Sequence, residues 1–451
     1  MDESSPEVGR SETRNGFPTL RLSTILLRMR GRLAVLYVTA FVDMVGLTMI
    51  VPLLPFYATD FGASATAVGI LISAFSIAQL AVAPAWGSFS DRYGRRPAIL
   101  AGLLVSAFAY GIFALAASVP VLLLSRLVQG AGGGTIGVVQ AYVADTSTPE
   151  RRTRSLGWLS AVTSLGAVAG PAFGSAMIAI GGRTAPGVGA AALSVLVAIF
   201  AWRFLGESHT EREPHGAAGL RQSSRAAIAR VAFHWNDPAA RLIWIYAIGI
   251  GAFYGTIQIV PLLLSSRLAV SEENIGYFIM YLGAMGVLVR TLLLGPMVDR
   301  FGEARLSGLG TVLLAAGLAA TGLAHGWPLL AAGFTLMPLG TAFLFPCVTG
   351  LLSRVVPASE RGLYMGVQHT FGGVSRVVFP IAAGALMDLS GVGVPYLIAA
   401  ALVLATLPLT RALAGYLLPL PAAVSPEPVI AAADITAEIP VAVSAERRTP
   451  P

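Results

Sequence analysis

Twelve long apolar segments, separated by short polar loops, make up most of this chain and limit what it can fold into. They lie near residues 33–56, 66–86, 98–117, 120–144, 155–180, 187–206, 242–265, 273–294, 306–324, 328–352, 362–387 and 393–415. A helix of about 20 apolar residues is long enough to cross a bilayer core. Only 12% of the residues are charged, which is about half the share found in soluble domains. The sequence therefore predicts an all-α membrane protein with twelve transmembrane helices.

The segments divide into two groups of six, which predicts two six-helix bundles at 33–206 and 242–415. A polar linker at 207–241 joins the bundles, and a polar N-terminal tail occupies 1–32. The C-terminal tail at 416–451 is rich in Pro, Ala and Glu, a composition that predicts disorder. No small-residue cleavage site follows the first apolar segment, so we expect it to be a retained helix and not a signal peptide.

The basic residues are all arginines, 30 in number, and they cluster in alternate loops. When both termini are placed in the cytoplasm, 25 arginines fall in the tails, the linker and the cytoplasmic loops. The external loops then hold only Arg183 and Arg267, and Arg126, Arg290 and Arg376 lie within the membrane. Cytoplasmic loops of membrane proteins carry an excess of basic residues. The distribution therefore predicts a multi-pass protein of the inner (plasma) membrane with cytoplasmic N- and C-termini.

Several function classes are excluded by residues that the sequence lacks. Without lysine there is no lysine-containing phosphate loop and no Schiff base, and with Cys347 as the sole cysteine there is no intrachain disulfide or cysteine-based metal cluster. The stretch GGGTIG at 132–137 matches a dinucleotide-binding pattern, but it lies inside a membrane segment, where close helix packing explains it. The net charge of +7 reflects loop arginines. We therefore expect no enzyme activity, cofactor, metal or nucleic-acid partner.

The two halves of the chain repeat each other. A shift of 208 residues places Gly87, Asp91, Arg92 and Gly94 on Gly295, Asp299, Arg300 and Gly302. A nearly equal shift places the stretch IVPLLP, from Ile50, on IVPLLL in the second half. Two parallel six-helix repeats with a ligand site at their midplane interface are the architecture of a secondary transporter.

Several motifs resemble those of the major facilitator superfamily. GSFSDRYGRRP from Gly87 resembles its loop 2–3 signature, G-x-x-x-D-R-x-G-R-R, and RLVQGAGGG from Arg126 resembles its helix 4 signature, R-x-x-Q-G. GAVAGPAFGS from Gly166 resembles the helix 5 motif G-x-x-x-G-P-x-x-G, which marks proton-driven exporters within the superfamily. FVDMVGLTMIVPLLP from Phe41 and AYVADTSTPERRTRSLG from Ala141 resemble the tetracycline/proton antiporter branch of the twelve-helix drug exporters.

The resemblance implies roles for three groups of residues. The gating motif comprises Gly87, Asp91, Arg92, Gly94, Arg95 and Arg96, with a partial second copy at Asp299 and Arg300. Within it, Asp91 is implied to bridge the halves at the start of helix 11 and to stabilise the outward-open state. The exporter motif, which brings helices together, comprises Gly166, Gly170, Pro171 and Gly174. Arg126 is implied to take part in proton transfer, whereas Ala109 stands where tetracycline exporters carry an acid, which argues against tetracycline as the substrate.

Asp43 is the carboxylate that lies deepest in any predicted membrane segment. A charge at the bilayer centre costs at least ~2.5–3.5 kcal/mol on insertion scales, so this group must be protonated or paired. Two functional roles, proton coupling and substrate binding, both depend on a carboxylate that is either protonated or paired. The alternative is a structural carboxylate paired with an arginine such as Arg126.

Further polar residues within the membrane segments are candidates for a substrate site. They are Gln129, Gln140, Tyr254, Gln258, Tyr281 and Arg376. Hydrogen bonding between helices is the alternative role for the neutral side chains among them. Arg290 lies close enough to the predicted cytoplasmic interface for its side chain to snorkel to it.

Together these features predict a monomeric, proton-coupled secondary transporter that exports small amphiphilic or hydrophobic compounds by alternating access. Its partners are then a small-molecule substrate, protons and the lipid bilayer. One alternative is a facilitator-type importer or uniporter of a metabolite without proton coupling, and a second is a membrane receptor that binds without transport. The helix 5 motif favours the exporter.

Overall fold

The computed structural model describes residues 19–207 and 226–413. The start of the predicted N-terminal tail, residues 208–225 of the predicted linker and all of the predicted disordered C-terminal tail lie outside these residues. Every element in the described part of the chain is helical. The helices are named α1 to α18 in chain order, and the membrane-crossing units that they form are numbered as spans 1 to 12.

The first half contains spans 1 to 6. Span 1 comprises α1 (Thr19–Ile50) and α2 (Leu54–Asp60), span 2 is α3 (Ala65–Tyr93), span 3 is α4 (Arg95–Ala114), span 4 comprises α5 (Val119–Gly132) and α6 (Thr135–Thr146), span 5 is α7 (Pro149–Gly181), and span 6 is α8 (Thr184–Phe204). The predicted segments of this half correspond to these six spans in order.

The second half contains spans 7 to 12 and repeats the pattern. After α9 (226–233), span 7 comprises α10 (Pro238–Ile257) and α11 (Val260–Leu268), span 8 is α12 (Glu272–Leu292) followed by α13 (Leu294–Phe301), span 9 is α14 (Glu303–Leu323), span 10 is α15 (Trp327–Val355), span 11 is α16 (Arg361–Ser390), and span 12 comprises α17 (Val394–Ala405) and α18 (Leu407–Leu413).

Eleven of these units are long and apolar enough to cross a membrane, and the twelfth is the shorter apolar stretch Val394–Thr410. The predicted all-α membrane fold is confirmed. The helices extend beyond two predicted boundaries, however. Helix α1 begins at Thr19, inside the predicted tail, and α9 forms inside the predicted linker, where Ala227 and Val231, one turn apart, are both buried in the core.

Spans 1 and 7 are both broken at the repeated IVPLL stretch. In span 1 the helix ends at Ile50 and resumes at Leu54, on either side of Pro52. In span 7 it ends at Ile257 and resumes at Val260, just before Pro261. Proline has no backbone N–H to continue a helix, so the repeated sequence interrupts the helix in both halves, although the two breaks are offset by two to three residues along the repeat.

The two halves pack against each other along two helix pairs, span 2 with span 11 and span 5 with span 8. A Cβ on Gly69 of span 2 would overlap the carbonyl group of Pro380 in span 11, and a Cβ on Gly276 of span 8 would overlap that of Pro171 in span 5. Such close approach of backbones is typical of membrane helices that meet through small residues. We call the membrane face where these contacts lie the closed end.

Polar contacts reinforce the closed end. The carboxylate of Asp388, at the last turn of span 11, accepts hydrogen bonds from the backbone N–H groups of Ala65 (2.9 Å) and Thr66 (2.8 Å) and from the Thr66 hydroxyl (2.6 Å). A side chain of the second half thus caps the N-terminus of span 2. Arg183 pairs with Asp60 of its own half and with Glu272 of the other, the latter at 2.9 Å.

The opposite face, which carries the loop around Asp91, is less tightly packed. The Asp91 side chain is 67% exposed, and a Cβ on Gly87 or Gly295 would meet open space. Among the glycines of the described residues, the close approach of spans 2 and 11 nearest to the Asp91 loop is that between Leu80 and Gly373. The halves therefore meet at the closed end and part toward the Asp91 loop, which we call the open end.

Candidate functional site

Asp43 lies in the wall of a cavity of 610 Å³ that is lined by spans 1, 4 and 5. Its polar lining comprises Asp43, Thr135, Gln140, Ser160 and Thr163. The lining segments of spans 4 and 5 lie toward the open end, since they are close to the loop that joins these two spans. Two of the predicted site residues, Asp43 and Gln140, are thus brought together in one cavity.

Asp43 is partly buried, and no basic group of the described chain lies within ion-pair distance of its carboxylate. The alternative of a structural carboxylate paired with an arginine such as Arg126 finds no such pair among the described residues in this state of the protein. Tyr110 of span 3 lies between the two charges, within electrostatic reach of both. Its ring also packs on Gly46, one turn from Asp43. Sequence reasoning did not identify Tyr110, because a tyrosine in an apolar helix carries no distinguishing pattern.

Arg126 is fully enclosed in the first half, with only 2% of its surface exposed. Its guanidinium lies over the ring of Phe113, 5.6 Å from the centroid. The Nε and Nη2 atoms of Arg126 have no hydrogen-bond partner among the described residues, whereas the amide of Gln129 lies beside the Tyr110 hydroxyl. Buried polar groups are almost always hydrogen-bonded to protein or to ordered water. Gln129 is buried near Arg126 and Tyr110 and is not among the residues that line the cavity at Asp43.

The predicted candidates of the second half lie on different surfaces. Arg376 of span 11 stacks over Tyr254 of span 7, 5.2 Å from the ring centroid, and Gln258 follows Tyr254 by one turn at the break in span 7. Tyr281 lies elsewhere, in an apolar groove of 330 Å³ between spans 8 and 10, where its hydroxyl is 2.8 Å from that of Thr335. Tyr281 is thus separate from Arg376 and Tyr254.

The gating motif forms the turn between spans 2 and 3. Gly94 has φ of +101°, a backbone conformation that favours glycine. Arg95 is largely buried and donates to Asp91 (2.7 Å), to Ser90 (2.8 Å) and to Asp145 (3.2 Å) at the end of span 4. In this state Asp91 therefore pairs with Arg95 of its own half.

The other arginines of the motif and one unforeseen carboxylate complete this turn. Arg96 donates to the backbone carbonyl of Trp202 in span 6, and Arg92 lies over the ring of Tyr93. Glu207 accepts from the backbone N–H groups of Arg95 (3.0 Å) and Arg96 (3.3 Å). It thereby caps span 3, where a negative charge is favoured by the helix dipole.

The second copy of the motif has a glycine turn like that of the first copy, and in the ion pair beside it the acidic and basic positions are exchanged. Gly302 has φ of +77°, and Asp299 and Arg300 are exposed. Where Arg95 pairs with Asp145 in the first half, Glu303 pairs with Arg354 (3.1 Å) at the equivalent ends of spans 9 and 10. Each half therefore joins two neighbouring spans at the open end by one ion pair.

The exporter motif holds spans 1 and 5 together. A Cβ on Gly166 would lie 2.6 Å from the carbonyl oxygen of Phe41, one on Gly170 would lie 2.7 Å from that of Val45, and one on Gly174 would overlap that of Met49. These glycines therefore form one smooth face of span 5 against span 1. Pro171, in the same turn as Gly170, is the residue that Gly276 of span 8 approaches. The motif thus lies between Asp43's helix and the second half.

The comparison with protein families decides which group this architecture belongs to. The model of the Major Facilitator Superfamily matches residues 36–293 and 285–448. The chain belongs to the major facilitator superfamily. Solved structures support the same fold. A bacterial homologue of the human lysosomal transporter Spinster, in an inward-facing and occupied conformation, matches with a TM-score of 0.68 at 14% identity, over 89% of this chain and 98% of that one.

Curated members of this superfamily align with most of the chain. Multidrug resistance protein 2 of Bacillus subtilis is 28% identical over 82% of this chain and 92% of its own length. The class C tetracycline resistance protein of Escherichia coli is 29% identical over 85% and 98%. The quinolone resistance protein NorA of Staphylococcus aureus is 25% identical over 80% and 91%. The similarity to these major facilitator proteins extends over most of the chain.

Proposed function

We propose that this protein is a proton-coupled exporter of small amphiphilic or hydrophobic compounds that works by alternating access. One observation carries the proposal: Asp43 lies in a cavity wall without an ion-pair partner among the described residues. The names of its relatives, which are multidrug, tetracycline and quinolone resistance proteins, support efflux as the direction of transport.

The physical argument starts from the cost of charge in a membrane. An ionised carboxylate without a partner is unfavourable there, so Asp43 gains stability by taking up a proton or by binding a substrate group that satisfies it. The two events use the same oxygen atoms and therefore compete. Such competition is sufficient for exchange, because a proton taken up on one side displaces substrate that came from the other.

Arg126 supplies the second part of the mechanism. Its unpartnered nitrogens lie in the part of span 4 nearer the closed end, and Tyr110 is within electrostatic reach of both Arg126 and Asp43. Ordered water is the usual partner of such buried polar atoms. We infer a short water-filled path beside Tyr110 along which a proton reaches Asp43 from the closed end, with the charge of Arg126 favouring the ionised form of Asp43 once the proton has left.

The arginine distribution supports placing the open end in the cytoplasm of an inner membrane, with both termini on that side. The structure is then an inward-facing state, in which the cavity beside Asp43 is accessible to cytoplasmic substrate. In the outward-facing state the span 2–span 11 and span 5–span 8 contacts at the closed end separate, and Asp91 is expected to reach the start of span 11. We expect a monomer to be sufficient, since one chain holds the whole cavity.

The available driving force is adequate for this function. One inward proton releases ~2.3 kcal/mol per 100 mV of membrane potential and ~1.4 kcal/mol per pH unit. At 100 mV and one pH unit, these sum to roughly 3.7 kcal/mol, enough for a gradient of several hundred-fold in a neutral compound.

The test is the variant Asp43→Asn in proteoliposomes with an imposed pH gradient and norfloxacin as the probe. Asn is nearly isosteric with Asp but cannot release a proton. Uphill accumulation should therefore be lost, while downhill exchange of probe for probe is retained. Asp43→Glu should keep partial activity, since it remains ionisable and is one methylene longer.

Two controls make the result specific. Asp145→Asn changes a carboxylate at the end of span 4 that bonds Arg95, so it should alter the rate without abolishing the response to the pH gradient. Gradient-driven accumulation at the wild-type rate in Asp43→Asn would overturn the assignment. Transport that ignores the gradient in the wild-type protein would instead identify a facilitator.

A further inference from the structure

Arg376 lies halfway along span 11, on the side of that helix that faces the interior of the protein. Val374 and Val378, on the opposite side of the helix, are 51% and 52% exposed, as apolar side chains facing lipid would be. Gly372 packs against span 7, and Pro380 packs against span 2 of the other half. By helical periodicity, Arg376 projects between these two contacts, where the two halves face each other.

The guanidinium of Arg376 lies over one aromatic ring and has no carboxylate partner among the described residues. It stacks over Tyr254, and Tyr246 and His369 lie within reach of its charge. No carboxylate of the described chain lies within ion-pair distance of it. Arg95, Arg183 and Arg354, by contrast, each pair with an Asp or Glu. Arg376 is thus a partly exposed cation, deep in a membrane helix, whose counter-charge the described chain does not supply.

We propose that Arg376 recognises an anionic group on the transported compound, so that the preferred substrates are aromatic carboxylates, including zwitterions. This inference rests on the proposed export function and names its substrate class. A planar guanidinium donates two parallel hydrogen bonds to a carboxylate. The guanidinium lies 5.2 Å from the centroid of the Tyr254 ring, so the ring contributes a cation–π contact and takes up none of the N–H donors in a hydrogen bond to a carboxylate.

The surroundings of Arg376 favour an aromatic ring next to the carboxylate. Tyr254 is 38% exposed, and Tyr246 packs edge-on against Phe345 of span 10, with centroids 5.6 Å apart. Offset or edge-on contacts with such rings add to the burial of an aromatic ligand.

The competing explanation gives Arg376 a purely internal role, as the counter-charge of Asp43 in another conformational state. That role would make its loss affect all ligands alike, whereas recognition of an anion affects only ligands that carry one. A pair of ligands that differ only in charge therefore separates the two explanations.

The experiment measures binding of 2-naphthoate and 2-naphthamide to the full chain in lipid nanodiscs by equilibrium dialysis, without a proton gradient. The wild-type protein should favour the carboxylate. Arg376→Gln should weaken binding of the carboxylate by about 10- to 100-fold, the range for a hydrogen bond to a charged group, and change binding of the amide less than about threefold. Arg376→Lys should restore part of the preference, because it keeps the charge but loses the planar pair of donors. Arg290→Gln, an exposed membrane arginine of span 8, is the matched control and should leave both affinities unchanged.

Equal weakening of both ligands by Arg376→Gln would overturn the proposal in favour of the internal role. A wild-type protein that does not favour the carboxylate over the amide would overturn it as well. Because no gradient is present, these outcomes are independent of whether Asp43 couples transport to protons, so failure of either proposal is distinguishable from failure of the other.

Discussion

The backbone contacts that close one end of the protein predict that a single methyl group shifts its conformational equilibrium. In the variant Gly276→Ala the new Cβ would lie 2.5 Å from the carbonyl carbon of Pro171, and in Gly69→Ala it would lie 2.8 Å from that of Pro380. Both distances are far below van der Waals contact, and both neighbours are backbone atoms that cannot rotate away. Overpacking of this kind costs about 1–3 kcal/mol.

That cost applies only while the closed end is closed, because the contacts lie between the two halves. A penalty of about 1–3 kcal/mol therefore favours the state with the opposite end closed by roughly 5- to 150-fold. Replacing Gly by Ala also favours helix by roughly 1 kcal/mol, but this gain is equal in both states and cancels. Gly111→Ala, where the Cβ meets open space, is the matched control.

The assay is double electron–electron resonance between spin labels on cysteines at Ile180 and His325, one in each half near the closed end. Ile180 is 89% exposed and His325 is exposed, and the background variant Cys347→Ala removes the only native cysteine. Both interface variants should increase the population with the longer distance. A distance distribution that stays at the background value in Gly276→Ala, or that shifts equally in Gly111→Ala, would refute the reasoning.

Three further predictions concern charge and topology. Asp388→Asn should raise the ratio of the longer-distance to the shorter-distance population by no more than about fivefold, because a charge at a helix N-terminus contributes about 0.3–1 kcal/mol. A shift toward the shorter distance would contradict the role of Asp388 as the cap of span 2. Asp91→Asn should slow transport while leaving substrate affinity and expression intact, since the residue biases a conformational equilibrium, and Asp299→Asn should have a milder effect; an unchanged rate in Asp91→Asn would reduce the motif to an orientation signal. A cysteine at Asn236, in the Cys347→Ala background, should resist impermeant thiol reagents in intact cells, and rapid labelling there would reverse the proposed topology.

Much of this fold was predictable because its signals are local in the sequence. The length of each apolar segment, the IVPLL repeat and the glycine spacing from Gly166 to Gly174 all depend on residues close together in the chain. Asp43 and Arg126 could be singled out as candidates from the sequence, since a charge in an apolar membrane segment is unfavourable and uncommon; their roles stay predictions.

The contacts that define this conformational state were not predictable in the same way. Asp388 bonds residues more than 300 positions away, and Arg183 bonds Glu272 across 89 positions. In the sequence alone, each of these residues is an ordinary charged residue at the end of a membrane segment. Tyr110 and Phe113 were not predicted for a different reason: aromatic residues are common in membrane helices. Only the packing shows that Phe113 lies under the Arg126 guanidinium and that Tyr110 is within electrostatic reach of Arg126 and Asp43. One weak indication of a capped helix start was present in the sequence: Ser64, a preferred N-cap residue type, is the N-cap of span 2.

The unpaired cation at Arg376 has a consequence for the energetics of the whole transport cycle. Outward movement of an anion and inward movement of a proton both carry current in the same direction. Exchange of one proton for one organic anion therefore moves two charges across the membrane, and at 100 mV the potential alone contributes ~4.6 kcal/mol. Such a cycle would run on voltage even where the pH on the two sides is equal. Exchange of a proton for a neutral or zwitterionic compound already moves one charge, so the side chain that selects an acid would double the electrical drive whenever the substrate carries a net charge of −1.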